Sequence, residues 1–179
     1  MRQFNTLTGA IQSKSSNPAI GESISVTGYD NIFDGGKGDW VFEGVTGQTP
    51  SQSPLQLGDG LFNDASGNQR KLVTGGSLNP LSIGFSTGAT DNSAAFSALK
   101  VVTLGGDYHT SVIWPAGDFK FTQPITINPT DTPNLTTSIR NVTWKGAGGS
   151  ALDTATRLFF DVPAGTADMF TLSAVYQAN

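Results

Sequence analysis

Two stretches decide the fold that this sequence predicts: residues 90–100, TDNSAAFSALK, and residues 112–121, VIWPAGDFKF. In the first, Asp91 is of a residue type that accepts hydrogen bonds from the free N–H groups at a helix start, and neither Gly nor Pro interrupts the next dozen residues. Phe96 and Leu99 have i, i+3 spacing, so they share one helix face. We therefore expect a short helix over about 91–100, with Phe96 and Leu99 facing the protein.

The second stretch predicts two strands joined by a turn. Residues 112–114 are β-branched or aromatic, and Pro115 to Gly117 is a turn sequence. Phe119 and Phe121 then alternate with polar residues, at the period of a half-buried strand. Trp114 would stack on a sugar if it were exposed, but a Trp on a strand is more typical of a core. We therefore treat Trp114, Pro115 and Gly117 as structural.

Apolar pairs that alternate with polar residues recur after this point, at intervals of about 16 residues. Such recurrence is typical of a solenoid, in which each coil buries its inward face on the next and a polar element caps the open end. The sequence therefore predicts stacked coils, with helix 91–100 as the cap, Trp144 inside and Gly146 in a loop. The pairs are Ile125 and Ile127, Val142 and Trp144, Leu158 and Phe160, and Phe170 and Leu172.

The ordered set LSIGFSTGATDNSAAFSALK, SVIWPAGDFKF, ITI, IRNVTWKGAGG and ATRLFF, between residues 81 and 160, resembles a known family. It is similar to the opening of right-handed parallel β-helix proteins of the pectate-lyase-like superfamily, and most of all to bacteriophage tailspikes. The resemblance covers roughly Pro80 to Leu172. Where the family has an acidic GDG before the helix, this chain has Ser86 to Ala89, so no role of that acidic residue transfers.

Residues 22–76 predict a small β-structured module, which by resemblance is the neck or head-binding part of a tailspike. Ile24 and Val26 alternate as in a strand, and residues 40–42 are suited to be its partner across the Gly-rich loop at residues 34–39. Residues 61–73 predict a β-hairpin with its turn at 64–68. Trp40, Phe42 and Phe62 are candidates for contacts around a three-fold axis, with the equally open alternative that they fill the small core.

The remaining boundaries are predicted from composition. Residues 1–21 are polar without sustained periodicity, which fits either a loose terminus or an arm that orders against a partner. The tailspike resemblance favours a virion-docking arm. The boundary between the two parts is expected within a Gly-rich connector at residues 74–80. The small module covers residues 22–76, and the start of a parallel β-helix covers residues 77–179. The fold class expected is thus all-β, with about three coils of what we expect to be a longer protein.

The composition favours a β-rich protein and argues against several functions. Charged residues are only 13%, and 22 Gly and 9 Pro suit many turns. Ten cationic residues against fourteen acidic ones give a net charge of −4, which disfavours a nucleic-acid partner. The absence of Cys excludes disulfides. Since neither a signal peptide nor a membrane span is recognisable, we expect synthesis in the host cytoplasm and no membrane partner.

We expect no catalytic residue, cofactor or metal site in this chain. Polysaccharide-cleaving enzymes use paired carboxylates, and Asp118 and Asp161 are better explained as turn and strand-end residues. His109 is the only histidine, which makes a metal site improbable. The resemblance implies a homotrimeric virion component. Its N-terminus would attach to the phage tail, baseplate or an adaptor, and a part outside this sequence would bind host polysaccharide. The alternative is a polysaccharide lyase or glycoside hydrolase of the parallel β-helix class.

Overall fold

The chain is predominantly β and divides into two compact units, Met1–Gly84 and Phe85–Asn179. The computed structural model describes residues 1–32, 34–46, 60–104, 111–127, 143–148, 155–163 and 170–172. The boundary thus lies after Gly84, because the connector at 74–80 is followed by a 3-10 helix that belongs to the first unit. The boundary predicted from the sequence, after residue 76, lies eight residues earlier in the chain.

The first unit is built on one five-stranded sheet with strand order β1-β2-β3-β5-β4. Strands β1 and β2 are parallel, and the other neighbours are antiparallel. The elements are β1 (Arg2–Phe4), α1 (Leu7–Ile11), β2 (Ser23–Val26), β3 (Gly38–Val45), β4 (Leu61–Asn63), β5 (Asn68–Leu72), β6 (Ser77–Leu78) and the 3-10 helix (Pro80–Ile83).

The N-terminal segment is part of this sheet, so the prediction of a separate arm over residues 1–21 is wrong. Strand β1 pairs with β2 in the register Arg2 to Ile24. The Thr6 side chain then accepts a hydrogen bond from the Gly9 N–H and caps α1, whose Leu7 and Ile11 are buried. A helix this short shows too few apolar positions to reveal its periodicity in the sequence.

The predicted hairpins are confirmed. Strand β2 pairs with β3 in antiparallel fashion, and β4 pairs with β5 across a turn at residues 64–67. The Asp34 carboxylate closes the loop before β3 by accepting hydrogen bonds from four backbone N–H groups. Gly35 has a φ of +87°, and a Cβ at Gly36 would lie 2.6 Å from the Leu81 carbonyl oxygen, so both positions require Gly.

The three aromatic residues proposed for three-fold contacts lie in the core of this unit. Trp40, Phe42 and Phe62 are 1%, 4% and 0% exposed, and the Trp40 and Phe62 ring centroids are 4.9 Å apart in an edge-to-face arrangement. Their own chain covers them because alternate residues of β3 and β4 face the same side of the sheet. These residues therefore fill the small core, which was the alternative, and their assignment to contacts around a three-fold axis is corrected.

In the second unit, the described residues form a helix and six strands that pair in parallel. Strand β7 pairs with β10, β8 with β11, and β9 with β12, so three successive strands pair with the next three in the same order. The elements are α2 (Ser93–Leu104), β7 (Ser111–Trp114), β8 (Gly117–Phe121), β9 (Ile125–Ile127), β10 (Thr143–Gly146), β11 (Thr156–Phe160) and β12 (Phe170–Leu172).

The predicted interval of about 16 residues is wrong as a stacking period. Trp144 pairs with Val112, Leu158 with Phe119, and Phe170 with Ile125. Strands β7 to β9 thus form a first layer and β10 to β12 a second layer. The pair on β9 belongs to the first layer and the later pairs belong to the second, and each partner in the other layer lies 32, 39 or 45 residues away. Alternation predicts which face of a strand is buried, but it carries no information about its partner. Val142, one of the predicted pair residues, lies outside the described residues.

Candidate functional site: the start of helix α2 and the second strand layer

An aromatic core fills the second unit. The Trp114 ring centroid is 5.0 Å from those of Phe85 and Phe119, both in edge-to-face geometry. Phe121 stacks on Phe160 at 5.2 Å and so joins the two strand layers. Trp114 is 3% exposed, which confirms that it belongs to the core and excludes it as a sugar platform.

Helix α2 covers this core, as the sequence predicts. Phe96 and Leu99 are buried, and the Phe96 ring centroid lies 6.3 Å from Phe121 and 5.7 Å from Trp144. Trp144 is half-buried. The helix begins at Ser93 and ends at Leu104, beyond the predicted end at residue 100.

Two side chains tie the start of α2 to the strands. Asn92 is buried, accepts a hydrogen bond from the Ser86 N–H and donates to the Lys120 carbonyl oxygen. Asp91 accepts hydrogen bonds from the Ser93 N–H at 2.9 Å and from the Thr122 N–H at 3.0 Å. The predicted capping role of Asp91 is thus confirmed, and the same carboxylate also holds the corner after β8.

These hydrogen bonds lower the pKa of Asp91 from its ordinary 3.8 to about 2. The largest cause is the bond from the Ser93 hydroxyl, while partial burial works in the opposite direction and the backbone N–H groups add to the lowering. A carboxylate with this pKa is a poor general base near neutral pH, because the driving force for taking up a proton is small. The chemistry of Asp91 is therefore that of a structural acceptor.

A groove of about 420 Å³ lies beside this helix start. The Lys100 ammonium group donates to the Thr126 carbonyl oxygen at 3.1 Å, and the Asp91 carboxylate accepts from Ser93 and Thr122. Its walls combine apolar and polar side chains, of which the charged ones bind their own chain. The lining residues are Asp91, Ser93, Ala94, Phe96, Lys100, Gln123, Pro124, Ile125 and Thr126.

The turn between β7 and β8 is held by a residue that sequence reasoning missed. The Thr156 hydroxyl donates to the carbonyl oxygens of Pro115, at 2.8 Å, and Trp114, and accepts from the Ala147 N–H. A Cβ at Gly146 would lie 3.1 Å from the Thr156 Cβ, which explains why Gly occupies this position. The partners of Thr156 on this turn are about 40 residues away in sequence, so no local pattern reveals them.

Gly117 begins β8 with a φ of +135°, a region that side-chain-bearing residues rarely adopt. A Cβ there would also collide with the Thr87 methyl group. The structural role predicted for this Gly is explained by both constraints.

The two carboxylates weighed as catalytic candidates lie at opposite ends of β8 and β11. Asp118 forms an ion pair with Arg157 at 2.5 Å, and both side chains are about one-third exposed. Asp161 comes directly after β11, where its N–H donates to the Phe121 carbonyl oxygen. Glycosidase chemistry needs two carboxyl groups that face the same glycosidic bond. The charge of Asp118 is instead compensated by its ion pair with Arg157. His109 lies outside the described residues.

A buried charged pair in the first unit was also missed. Arg70 and Asp64 are 1% and 0% exposed, with Nε and Oδ2 3.9 Å apart. Burial lowers the pKa of Arg70, and the Asp64 charge opposes that shift. The Asn68 amide donates to both Asp64 oxygens and to the Ser15 carbonyl oxygen, which fixes the N-terminal segment to the β4–β5 turn.

The second strand layer presents apolar side chains to solvent. Leu158 and Phe159 on β11 are 37% and 45% exposed. Phe119, the register partner of Leu158, is buried, whereas Lys120, the partner of Phe159, is itself exposed. Strand β11 pairs only with β8 among the described strands. Its other edge is therefore the most conspicuous candidate surface of this unit.

Comparison with models of known protein families gives no match, and no curated protein is similar enough to establish a relationship. Within the described ranges, no group of His, Asp and Glu side chains is arranged to hold a metal ion. None of the helices in that part of the chain combines the length and the apolar character needed to cross a membrane.

Proposed function

We propose that this chain is a structural component of a phage virion, the N-terminal attachment region of a tailspike. In this proposal, residues 85–179 begin a right-handed parallel β-helix. One observation carries it: β7, β8 and β9 pair in parallel with β10, β11 and β12 in the same order. A chain that revisits three strands in sequence, each time in parallel, has made one circuit of a coil.

A general rule on strand connections and the position of α2 support this proposal. A connection between parallel strands of one sheet is right-handed in almost all proteins, because of the twist of the strands. Helix α2 precedes the first layer and places Phe96 and Leu99 against the core. A solenoid needs such a terminal element, since its first coil has no preceding coil to cover it.

The side chains support a structural role over an enzymatic one. Asp91 accepts several hydrogen bonds with a lowered pKa, and Asp118 is paired with Arg157. These are carboxylates that hold a backbone corner and a strand pair. The enzyme alternative gains no specific observation from the described residues.

Attachment and assembly belong to the same proposal. Because β1 pairs in the sheet and α1 buries Leu7 and Ile11, the first unit as a whole would attach to the tail, baseplate or an adaptor protein. The chain would form a homotrimer, and host polysaccharide would bind to a part of the spike outside this sequence. The trimer contacts would come from surface residues, since Trp40, Phe42 and Phe62 are buried.

Engineered cysteine pairs test the coil. The chain contains no Cys, so a disulfide between two introduced residues reports only their proximity. Lys120 and Phe159 are register partners on β8 and β11 and are both exposed. Neighbouring strands are about 4.8 Å apart, within the Cα separation that a disulfide spans. The pair K120C/F159C should therefore cross-link within one chain, as detected by mass spectrometry of disulfide-linked peptides.

The control pair is K145C/D161C, at exposed positions 16 residues apart that would be neighbours if the interval seen in the sequence were the coil length. This pair should remain reduced. Cross-linking of the control pair in place of the first pair would contradict the circuit and with it the β-helix.

Location in the virion is tested by labelling. Antibodies against the first unit should mark the tail end of phage particles in electron micrographs. If particles from a lysate that contains the protein show no label above that of a preimmune serum, the attachment role is wrong.

A further inference from the structure

We infer that the edge of β11 opposite β8, which no described strand occupies, is a self-association surface, at which a second copy of this chain adds its own β11 in antiparallel orientation. This inference goes beyond the proposed attachment role and does not rest on it. In a longer protein, a third layer of strands would pair with this same edge of β11. The inference therefore applies to the chain of 179 residues.

The backbone of β11 is suited to such pairing. The Ala155 carbonyl oxygen accepts from Gly117 and the Asp161 N–H donates to Phe121, so these odd-numbered residues face β8. Hydrogen-bonding direction alternates along a strand, and Leu158 and Phe160 therefore direct their N–H and C=O groups to the opposite edge. The Thr156 N–H is already engaged by the Ala147 carbonyl oxygen. The usable groups thus lie at Leu158 and Phe160.

The side chains select the register. In an antiparallel pair centred on Phe159, Leu158 lies opposite Phe160 of the second copy, and each such pair exchanges two backbone hydrogen bonds. Phe159 lies opposite its own counterpart in the close, non-hydrogen-bonded position, where aromatic pairs stabilise a sheet. Two exposed apolar side chains of each copy are covered in this arrangement.

Charge complementarity supports the same register. Arg157, which also pairs with Asp118 of its own chain, lies opposite Asp161 of the second copy, and the two-fold axis repeats this arrangement. An in-register parallel arrangement would instead place Arg157 against Arg157, and one centred on Arg157 would do the same. Direct like-charge pairs across strands are destabilising. The sequence TRLFFD at residues 156–161 is thus self-complementary only when it pairs in the antiparallel sense about Phe159.

An interface of one strand from each copy is small, and small interfaces give weak, concentration-dependent association. Light scattering over a dilution series should therefore show a doubling of mass at the highest concentrations. If the chain is also a trimer, as the proposed function requires, the doubled species contains six copies; if it is not, it contains two. The mass at low concentration therefore tests the proposed trimer, and the doubling of that mass at high concentration tests the self-association.

The substitution Asp161→Lys replaces the attraction to Arg157 by repulsion at both ends of the pair. It should raise the dissociation constant of the doubling about tenfold or more. The control Asp39→Lys makes the same change of charge at an exposed position on β3 of the first unit and should leave the doubling unchanged. Equal effects of the two variants would overturn the inference, as would a wild-type chain that never doubles.

A cross-link checks the register independently. At the two-fold axis, Cys residues introduced by Phe159→Cys would lie about 4.5 Å apart in Cα separation, close enough for an intermolecular disulfide. Mild oxidation should give a covalent dimer on a non-reducing gel. Lys120→Cys, at an exposed position on the paired strand β8, is the matched control and should remain monomeric. A covalent dimer formed by the control but not by Phe159→Cys would refute the register.

Discussion

Asp91 joins two parts of the second unit that are 31 residues apart in sequence, the start of α2 and the corner after β8. Its carboxylate binds the Ser93 hydroxyl and N–H and the Thr122 N–H. One ionised side chain thus fixes the helix against the first strand layer. The stability of this junction depends on the charge of Asp91.

The wild-type chain should lose stability in acid through this residue. The folded-state pKa of about 2 lies below the ordinary 3.8, so the charged form is favoured by folding. Its contribution is complete above about pH 4 and disappears as the pH falls from about 4 towards 2. Asp91→Ala should be less stable at neutral pH and show a flatter profile across this window, measured by urea denaturation at several pH values.

Asp91→Asn is the control for this prediction. The amide oxygen still accepts hydrogen bonds but does not titrate, so this variant should also have the flatter profile while losing less stability at neutral pH. A variant Asp91→Ala that keeps the full acid dependence of the wild type would show that the effect arises elsewhere.

Phe96 is the second residue on which the junction depends. It is 4% exposed and its ring contacts those of Phe121 and Trp144. Phe96→Ala should lower the free energy of unfolding of the second unit by about 3–5 kcal/mol, through lost burial and a cavity. Phe159→Ala, at a position 45% exposed, is the matched control and should cost far less in dilute solution. Equal losses, measured by chemical denaturation, would contradict the packing.

Residue roles were predictable from the sequence where the physical cause is local. The cap at Asp91, the helix face of Phe96 and Leu99, and the turn at Gly117 depend on neighbours within a few positions. The roles of Asn92 and Thr156 were not predictable, because each has partners 28 or more residues away. Arg70 was missed for another reason, since its partner Asp64 is near in sequence but nothing in the sequence shows that both side chains are buried. A buried Arg looks in the sequence like one more surface charge until its Asp64 partner is placed beside it.

At the scale of elements, strand β1 and helix α1 make the N-terminus a component of the sheet. Ile11→Ala should therefore destabilise the first unit by about 2–4 kcal/mol, since Ile11 is only 6% exposed. Ile20→Ala is the matched control at a residue 73% exposed and should change stability by less than about 0.5 kcal/mol. Thermal or urea unfolding distinguishes the two. If Ile11→Ala behaves as Ile20→Ala does, the N-terminus is a loose arm after all.

Strand positions were predictable from the sequence and strand partners were not. The strands near residues 24–26, 40–42, 112–114 and 119–127 lie close to where alternation places them. Antiparallel partners β4 and β5 were also predictable, because a short turn joins them. Parallel partners need long connections, whose length no periodicity fixes. The interval of about 16 residues was the spacing between consecutive strands along the chain, taken for the spacing between paired strands.

At the scale of the whole molecule, the arrangement of carboxylates predicts a chain without glycan-cleaving activity. Asp118 is paired with Arg157, and Asp161 lies at the far end of β11. No reducing ends should appear when the purified chain is incubated with capsular polysaccharide or lipopolysaccharide. Turnover that is abolished by Asp118→Asn or Asp161→Asn, with the fold intact by circular dichroism, would favour the enzyme alternative.

The parallel register also determines how long each strand of the first layer waits for its partner during synthesis on the ribosome. Ser111, Gly117 and Ile125 pair with Thr143, Thr156 and Phe170, which are synthesised 32, 39 and 45 residues later. At the usual speed of translation, each strand of the first layer waits roughly 2 to 9 s for its partner. Helix α2 precedes these strands, so Phe96 is already available to cover Phe121 during that interval. Because α2 is synthesised first, it can cover the apolar face of the first layer before the strands of the second layer have been synthesised.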